Sequence, residues 1–404
     1  MAVSFLLSLG FFPSPVRAEE TLSEALRNGK LLFDGRLRYE HVEQANFAED
    51  ANALTFRARF GFETAPFKGF KILAEGDFTR ALGINDYNST VNGKTGFPVI
   101  ADPASARLNR ASLSYVGLDK FTVAAGRQRI ILDDARFVGN VGFRQNEQTF
   151  DSVTLKTNRL KDVTLTYAFV WRVNRISGSR SPAGHANGGS HLLNVSYAGL
   201  PFGTLTAYAY LIGLDTLPAS SSQTYGARLR GEQTAGAGVK ILYTAGFARQ
   251  TDYKLNPASY ALSFIELEGG FSYKDWVAKA GLQKLSGNGA ASFQTPLATL
   301  HAFQGFADQF LTTPAAGVRD VYAIAGYRRE NVGTFGTVTA MVWFHDFSPV
   351  VAGPDLGEEV DFLISSAPRI AKRVYVFSVK AARFFGSPVM PNVTKLWLTA
   401  EVAF

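Results

Sequence analysis

An alternation of period two, recurring from one end of the chain to the other, restricts the possible folds more than any other feature. In "LLFDGRLRYEHV", Leu31, Phe33, Leu37 and Tyr39 share one parity, while Asp34, Arg36, Arg38 and Glu40 hold the other. "NALTFRARFGFET" sets Leu54, Phe56, Ala58, Phe60 and Phe62 against Thr55, Arg57, Arg59 and Glu63. "GFKILAEGDF" sets Phe70, Ile72, Ala74 and Phe78 against Lys71, Glu75 and Asp77. Successive side chains of a strand point to opposite faces, so each stretch predicts a strand with one apolar side and one wet side. The pattern returns in "KDVTLTYAFVWRV", "QTYGARLRG", "GVKILYTAGFAR" and "DWVAKAGLQKL", and again in the final "TKLWLTAEVAF".

About 16 to 18 such segments of roughly ten residues fit along the chain, the number and length of a porin-sized barrel. The expected fold is all-β: a transmembrane antiparallel barrel of about 18 strands. A soluble sandwich would rarely carry strands this long. The 33 Phe and 15 Tyr suit aromatic girdles at the two membrane interfaces. Short turns such as "APFKG", "NRLKD", "AGLPFG" and "SYKDW" alternate with long loops at 82–106, 131–147, 177–189, 252–258 and 287–318. That asymmetry predicts short periplasmic turns and long extracellular loops. Phe404 on an alternating strand resembles the signal by which bacterial outer-membrane barrels are recognised for assembly.

The chain opens "MAVSFLLSLGFFPSPVRAEE", with an apolar run from Val3 to Phe12 and a small residue, Ala18, before two glutamates. Residues 1–18 read as a secretory signal peptide, although no Lys or Arg precedes the apolar run. Residues 19–404 then form a single outer-membrane barrel domain. The chain has no cysteine, which removes disulfide scaffolds and thiolate chemistry. No later stretch reaches the roughly 18 uncharged apolar residues of a membrane helix, so a spanning structure must be a closed barrel.

The inward parity supplies Arg36, Arg38, Arg57, Arg59, Arg110, Arg172, Arg228 and Arg230, with Lys240 and Lys279. Guanidinium groups in a wet lumen meet carboxylates bidentately, and rings of one sign make a pore selective. The same parity also carries Asp34, Glu40, Glu63, Glu75 and Asp77, which allows a self-compensating ladder of salt bridges instead. In "KFTVAAGRQRII" the parity of Phe121, Val123 and Ala125 also holds Arg127 and Arg129. Either a bulge at Gly126 switches phase there, or the segment is not wholly lipid-facing.

Two stretches, "GRQRIILDDARFVGNVGFRQNEQTFDSVTL" (126–155) and "SFQTPLATLHAFQGFADQFLTTPAAGVRDVY" (292–322), resemble the alginate-export family of bacterial outer-membrane barrels. "GRLRYE" and "GEEVDF" (357–362) sit where that family has similar segments. The resemblance implies an 18-stranded barrel with an Arg-rich lumen for an anionic saccharide such as a polyuronate, and periplasmic export partners. It adds Arg127, Arg129 and Arg144 to the candidate lumen contacts, beside Gln128, Gln145 and Asp151. In the second stretch it places Thr295, Thr299, His301, Gln304, Asp308 and Asp320 near the pore mouth. The competing reading is that these polar groups fold the loops onto the barrel.

Other functions find little support. The five histidines are scattered, and neither G-x-S-x-G nor H-E-x-x-H occurs, so an enzyme, a metal site and a cofactor are not expected. The charge excess, 41 Lys and Arg over 34 Asp and Glu, is spread over alternating strands rather than gathered with aromatics on one surface, which argues against nucleic acid. The expected function is a channel in the outer-membrane lipid that passes hydrophilic, anionic solutes by diffusion. The alternative is a non-conducting structural or adhesin-type barrel, whose lumen would be filled by bulky inward residues.

Overall fold

The computed structural model describes residues 21–404, so the signal-peptide reading of 1–18 lies outside the described residues. A short helix, α1 (Leu22–Arg27), opens this part with a capping box between Thr21 and Glu24. The strands follow as β1 (Lys30–Gln44), β2 (Ala51–Glu63), β3 (Phe70–Asp86), β4 (Ser105–Leu118), β5 (Phe121–Gln128) and β6 (Thr149–Thr157). Next come β7 (Val163–Asn174), β8 (His185–Leu200), β9 (Gly203–Ile212), β10 (Ser222–Thr234), β11 (Val239–Asp252) and β12 (Ala261–Tyr273). The series ends with β13 (Trp276–Ser286), β14 (Gly317–Arg329), β15 (Thr337–Ser348), β16 (Gly357–Ala367), β17 (Arg373–Phe385) and β18 (Val393–Ala403). A two-residue ladder at Arg369–Ile370 decorates the turn before β17.

Each strand pairs antiparallel with its neighbours in sequence, and β1 pairs with both β2 and β18, from Asp34↔Ala403 to Gln44↔Val393. The 18 strands therefore close without an edge, and every ladder position finds a partner inside the sheet. Burial follows the predicted parity: Arg36, Arg38, Arg57 and Arg59 are buried, while Leu31 and Phe60 on the other face are 77% and 62% exposed. Exposed Leu, Ile, Val and Phe form an outward belt, stable only against lipid. At the short-turn end, Phe33–Phe60, Phe33–Phe404, Phe70–Tyr115 and Trp276–Tyr327 pack as outward aromatic pairs 4.9 to 5.2 Å apart. Turns at 119–120, 201–202 and 274–275 lie at this end, and loops 87–104, 129–148 and 287–316 at the other. Belt, girdle and loop asymmetry are those of an outer-membrane barrel, with the long loops extracellular.

Some details differ from the sequence reading, and one decides between its alternatives. β8 begins at His185, inside the stretch read as a loop. No register shift occurs at Gly126 in either of its ladders, so of the two alternatives the second holds: the segment is not wholly lipid-facing, and Arg127 stays on the outward parity of Ala125. A shift in register between Val170 and Arg172 does switch the phase of β7, because Val170 and Val173 are both inward and 1% exposed. Trp171 and Arg172 fall in that bulge, and Arg172 opposes Asp151 instead of lining the lumen.

Candidate functional site

The lumen is the site, and its shape is set by loops 129–148 and 287–316, which fold inward instead of standing above the barrel. The first loop lies within the first of the two long stretches singled out in the sequence, and most of the second loop falls in the second. They are joined by a bridge at Val138↔Leu297 and by Gly139 N–H donating to the Leu297 carbonyl at 2.8 Å. Phe143 of the first loop stacks on His301 of the second, with ring centres 3.5 Å apart.

The first loop is fastened to β1 and β2 by the arginines of their inward parity. Arg36 donates to the carbonyls of Gly142, Phe143 and Arg144 at 2.9 to 3.1 Å and pairs with Glu401 at 2.6 Å. Arg38 donates to the Phe143 carbonyl at 2.6 Å, and its guanidinium lies 4.2 Å from the centre of that ring. Arg59 joins Asp77, Asp34 and Glu147 and donates to the Gln145 carbonyl, while Arg57 pairs with Asp34. Loop carbonyls turned toward the barrel wall need donors, and the alternating arginines supply them.

Charges on the first loop answer in turn. Arg129 makes a fork with Glu147 at 2.6 and 2.7 Å. Burial alone would raise the Glu147 carboxyl, but Arg129 and Arg59 outweigh it and hold it well below the usual carboxylate range. Arg144 gathers Glu40 at 3.0 Å, Asp308 at 3.3 Å and Asp102 at 3.6 Å. Further along, Arg228 of β10 meets Glu266 of β12 and the loop carboxylates Asp133 and Asp134 at 2.8 to 3.1 Å. Burial and the neighbouring Asp134 push the Asp133 carboxyl up to about 6, against the pull of Arg228.

The second loop is held by carboxylates. Glu359 and Asp361 of β16 accept the backbone N–H groups of Ala307 and Phe306 at 2.6 and 3.0 Å. Gly305 precedes them at φ +79°, where any Cβ would collide with the Glu359 carboxylate. His301 is enclosed by Phe143, Phe306 and Trp397, with Nδ1 on Asp308 at 2.9 Å and Nε2 on the Lys380 ammonium at 2.7 Å. With Lys380 as the donor, Nε2 accepts, Nδ1 donates to Asp308, and the ring is neutral. Burial pushes this imidazole down to about 3, Lys380 adding to the effect against Asp308.

Inward aromatic residues fill the extracellular half around the loops: Tyr208, Tyr210, Phe264, Trp343, Phe347, Phe384 and Trp397 are all under 9% exposed. The lumenal side chains that keep contact with water lie on another wall. Ser112, Ser114, Thr122, Thr154, Thr164 and Thr166 line β4 to β7 there, and Arg230 is exposed on the inward face of β10 near the short-turn end. Arg110, Arg129, Arg228, Asp133 and Asp134 also keep partial exposure.

Among the residues expected from sequence, Arg36, Arg38, Arg57, Arg59, Arg110, Arg228, Arg230 and Lys279 stand on the inward parity of their strands, and Arg129 and Arg144 belong to a lumenal loop. Arg110 forks onto Glu75 and Lys279 pairs with Glu268. Lys240 pairs with Glu232 at the periplasmic turn, both exposed. Two residues are corrected. Arg127 pairs with Asp151 at 2.7 Å on the outward face, and Arg172 donates to Asn174, so neither lines the lumen.

The structure adds Arg107, Arg136, Lys380 and Lys395. Arg107 and Lys380 are visible in the alternation of β4 and β17, but Arg136 has no periodic signal because it lies in a loop. Its guanidinium lies between Phe303 and Phe264, donates to Gln304, and leaves Nε and Nη1 buried without a partner. Burial lowers its pKa to about 10.

No family model matches the chain, and no curated protein matches it. Solved barrels do. OccAB2 of Acinetobacter baumannii superposes with a TM-score of 0.73 at 12% identity, over 94% of this chain and 99% of that one. OccK3 (OpdO) of Pseudomonas aeruginosa gives 0.70 at 12% identity, over 95% and 97%. OpdK of the same organism, solved with vanillate, gives 0.67 at 12% identity, over 93% and 98%. The chain thus shares its fold, over nearly its whole described length, with the Occ and Opd barrels of these bacteria.

Proposed function

We propose that this protein is an outer-membrane channel through which small hydrophilic solutes diffuse, with a preference for anions. The observation that carries the preference is a set of lumenal arginines without carboxylate partners. Arg38, Arg136 and Arg230 enter no ion pair with a carboxylate among the described residues, Arg230 being the exposed one, although most other lumenal arginines do. An 18-strand barrel is wide enough to leave a hole, and the two inward loops narrow it without a plug domain. The vanillate bound to OpdK, a barrel of the same fold, is a carboxylate. The likeness of 126–155 and 292–322 to the alginate-export family adds acidic saccharides such as uronates as solutes.

On this reading the lumen arginines, Arg129 and Arg144 shape the path, and residues 1–18 export the chain to a single 19–404 barrel domain. The chain does no chemistry and needs no cofactor. Permeation into proteoliposomes tests the proposal, with glucuronate, glucose and glucosamine offered at equal concentration. Glucuronate enters fastest; entry of none of the three, with folded protein present, would replace the channel by a structural barrel.

A further inference from the structure

Outside the lumen, the barrel surface changes chemistry at the long-loop end of β11 to β14. On β13 the outward positions run Trp276, Ala278, Ala280 and Leu282, then Lys284; on β14 Arg319 precedes Val321, Ala323 and Ala325. Lys284 and Arg319 face each other directly in the ladder. Their neighbours in sequence, Gln283, Leu285, Val318 and Asp320, are buried inward, which fixes both cations on the outer face. On β11, Arg249 follows the 54%-exposed Phe247 on the same face and is itself exposed.

Arg249 and Lys284 enter no ion pair among the described residues, and the Arg319 Nε reaches only the Ser348 hydroxyl, at 2.9 Å. The outward carboxylate of Asp346 stands opposite Val321 and also makes no ion pair. Like charges directly opposite on neighbouring strands oppose each other, so an anion seated between Lys284 and Arg319 would stabilise the pair. The height of the group decides which anion. Leu282 and Val321, one outward step below, belong to the lipid-facing belt, so the cations stand where headgroups begin and their stems lie along acyl chains. Arginine and lysine in that position match phosphate, arginine bidentately.

We propose that Arg249, Lys284 and Arg319 form a seat for a phosphorylated lipid headgroup of the outer leaflet. The test uses the refolded full chain in detergent micelles, titrated with diphosphorylated lipid A and read by native mass spectrometry. The same lipid without phosphates, and inorganic phosphate as competitor, are run in parallel. The expected result is retained lipid A with affinity falling about fivefold per cation removed, on the order of a hundredfold in Arg249→Gln/Lys284→Gln/Arg319→Gln. Millimolar inorganic phosphate does not displace it, and the triple variant keeps wild-type heat stability in lipid-free detergent. Unchanged affinity in the triple variant, equal binding of the dephosphorylated lipid, or ready displacement by inorganic phosphate would each overturn the proposal.

Discussion

Replacing Arg144 by Met tests whether ion pairs hold the lumenal loops down. The Glu40 carboxylate is 1% exposed, and its contacts among the described residues are the two hydrogen bonds from Arg144, at 3.0 and 3.1 Å. Asp308 would keep His301 and Lys395, and Asp102 would keep the Gln145 N–H, but Glu40 would be left alone. Removing one partner of a buried pair costs about 3–5 kcal/mol, because the remaining charge stays desolvated. At about 1.4 kcal/mol per tenfold, the balance between docked and undocked loop shifts by roughly a hundred- to a few thousandfold. Single-channel recording in planar bilayers reads the result as larger conductance steps and frequent gating. Adding Glu40→Gln removes the orphaned charge and restores most of the quiet, narrow state. Wild-type traces in Arg144→Met, or a double variant that gates as much as the single one, would refute the reasoning.

Three further outcomes follow from the same geometry. Asp133, raised to about 6, takes up a proton as pH falls through that value, which removes one negative charge from a group comprising Asp134, Glu266, Arg228 and Arg136. Anion selectivity measured between pH 7 and 5 therefore rises with a midpoint near 6 and becomes flat in Asp133→Asn; by linkage, the stability Asp133 contributes is present at low pH and lost as pH rises through 6. His301, lowered to about 3, excludes the proton that the undocked imidazole accepts below roughly 6.5. Loop docking therefore weakens as pH falls from about 6.5 toward 3, read as faster proteolysis of 287–316. Phe362, 52% exposed in the middle of β16, faces lipid, so Phe362→Arg costs about 2–4 kcal/mol in urea unfolding, while Thr166→Arg on the lumenal wall costs far less.

The wall of the barrel was legible because period two is a local property. The parity of Arg36 and Leu37, or of Arg57 and Phe56, is fixed once a strand forms, and closure adds nothing to it. Where the phase breaks, local reading fails: the register shifts at Glu75/Gly76 and at Val170/Arg172 bring Asn109 inward and take Arg172 away from the lumen. The inward loops were a matter of partners far apart in sequence. Nothing near Arg144 announces Glu40, and nothing near Phe306 announces Asp361. The arginines that look free in the sequence are therefore mostly tied, whether to acids such as Glu75 and Glu147 or to loop carbonyls. Inward Trp343, Phe347 and Phe384 were equally hidden, because an aromatic residue on a polar parity marks loop packing only after the loop is seen.

Whether the barrel is an anion-preferring channel is decided by the reversal potential of the refolded chain in a planar bilayer under a salt gradient. Measurable conductance is expected, with an anion preference that drops when Arg38 and Arg230, which lack carboxylate partners, are both changed to Gln. Cation preference, or a folded barrel that carries no current at any voltage, would contradict the proposed function.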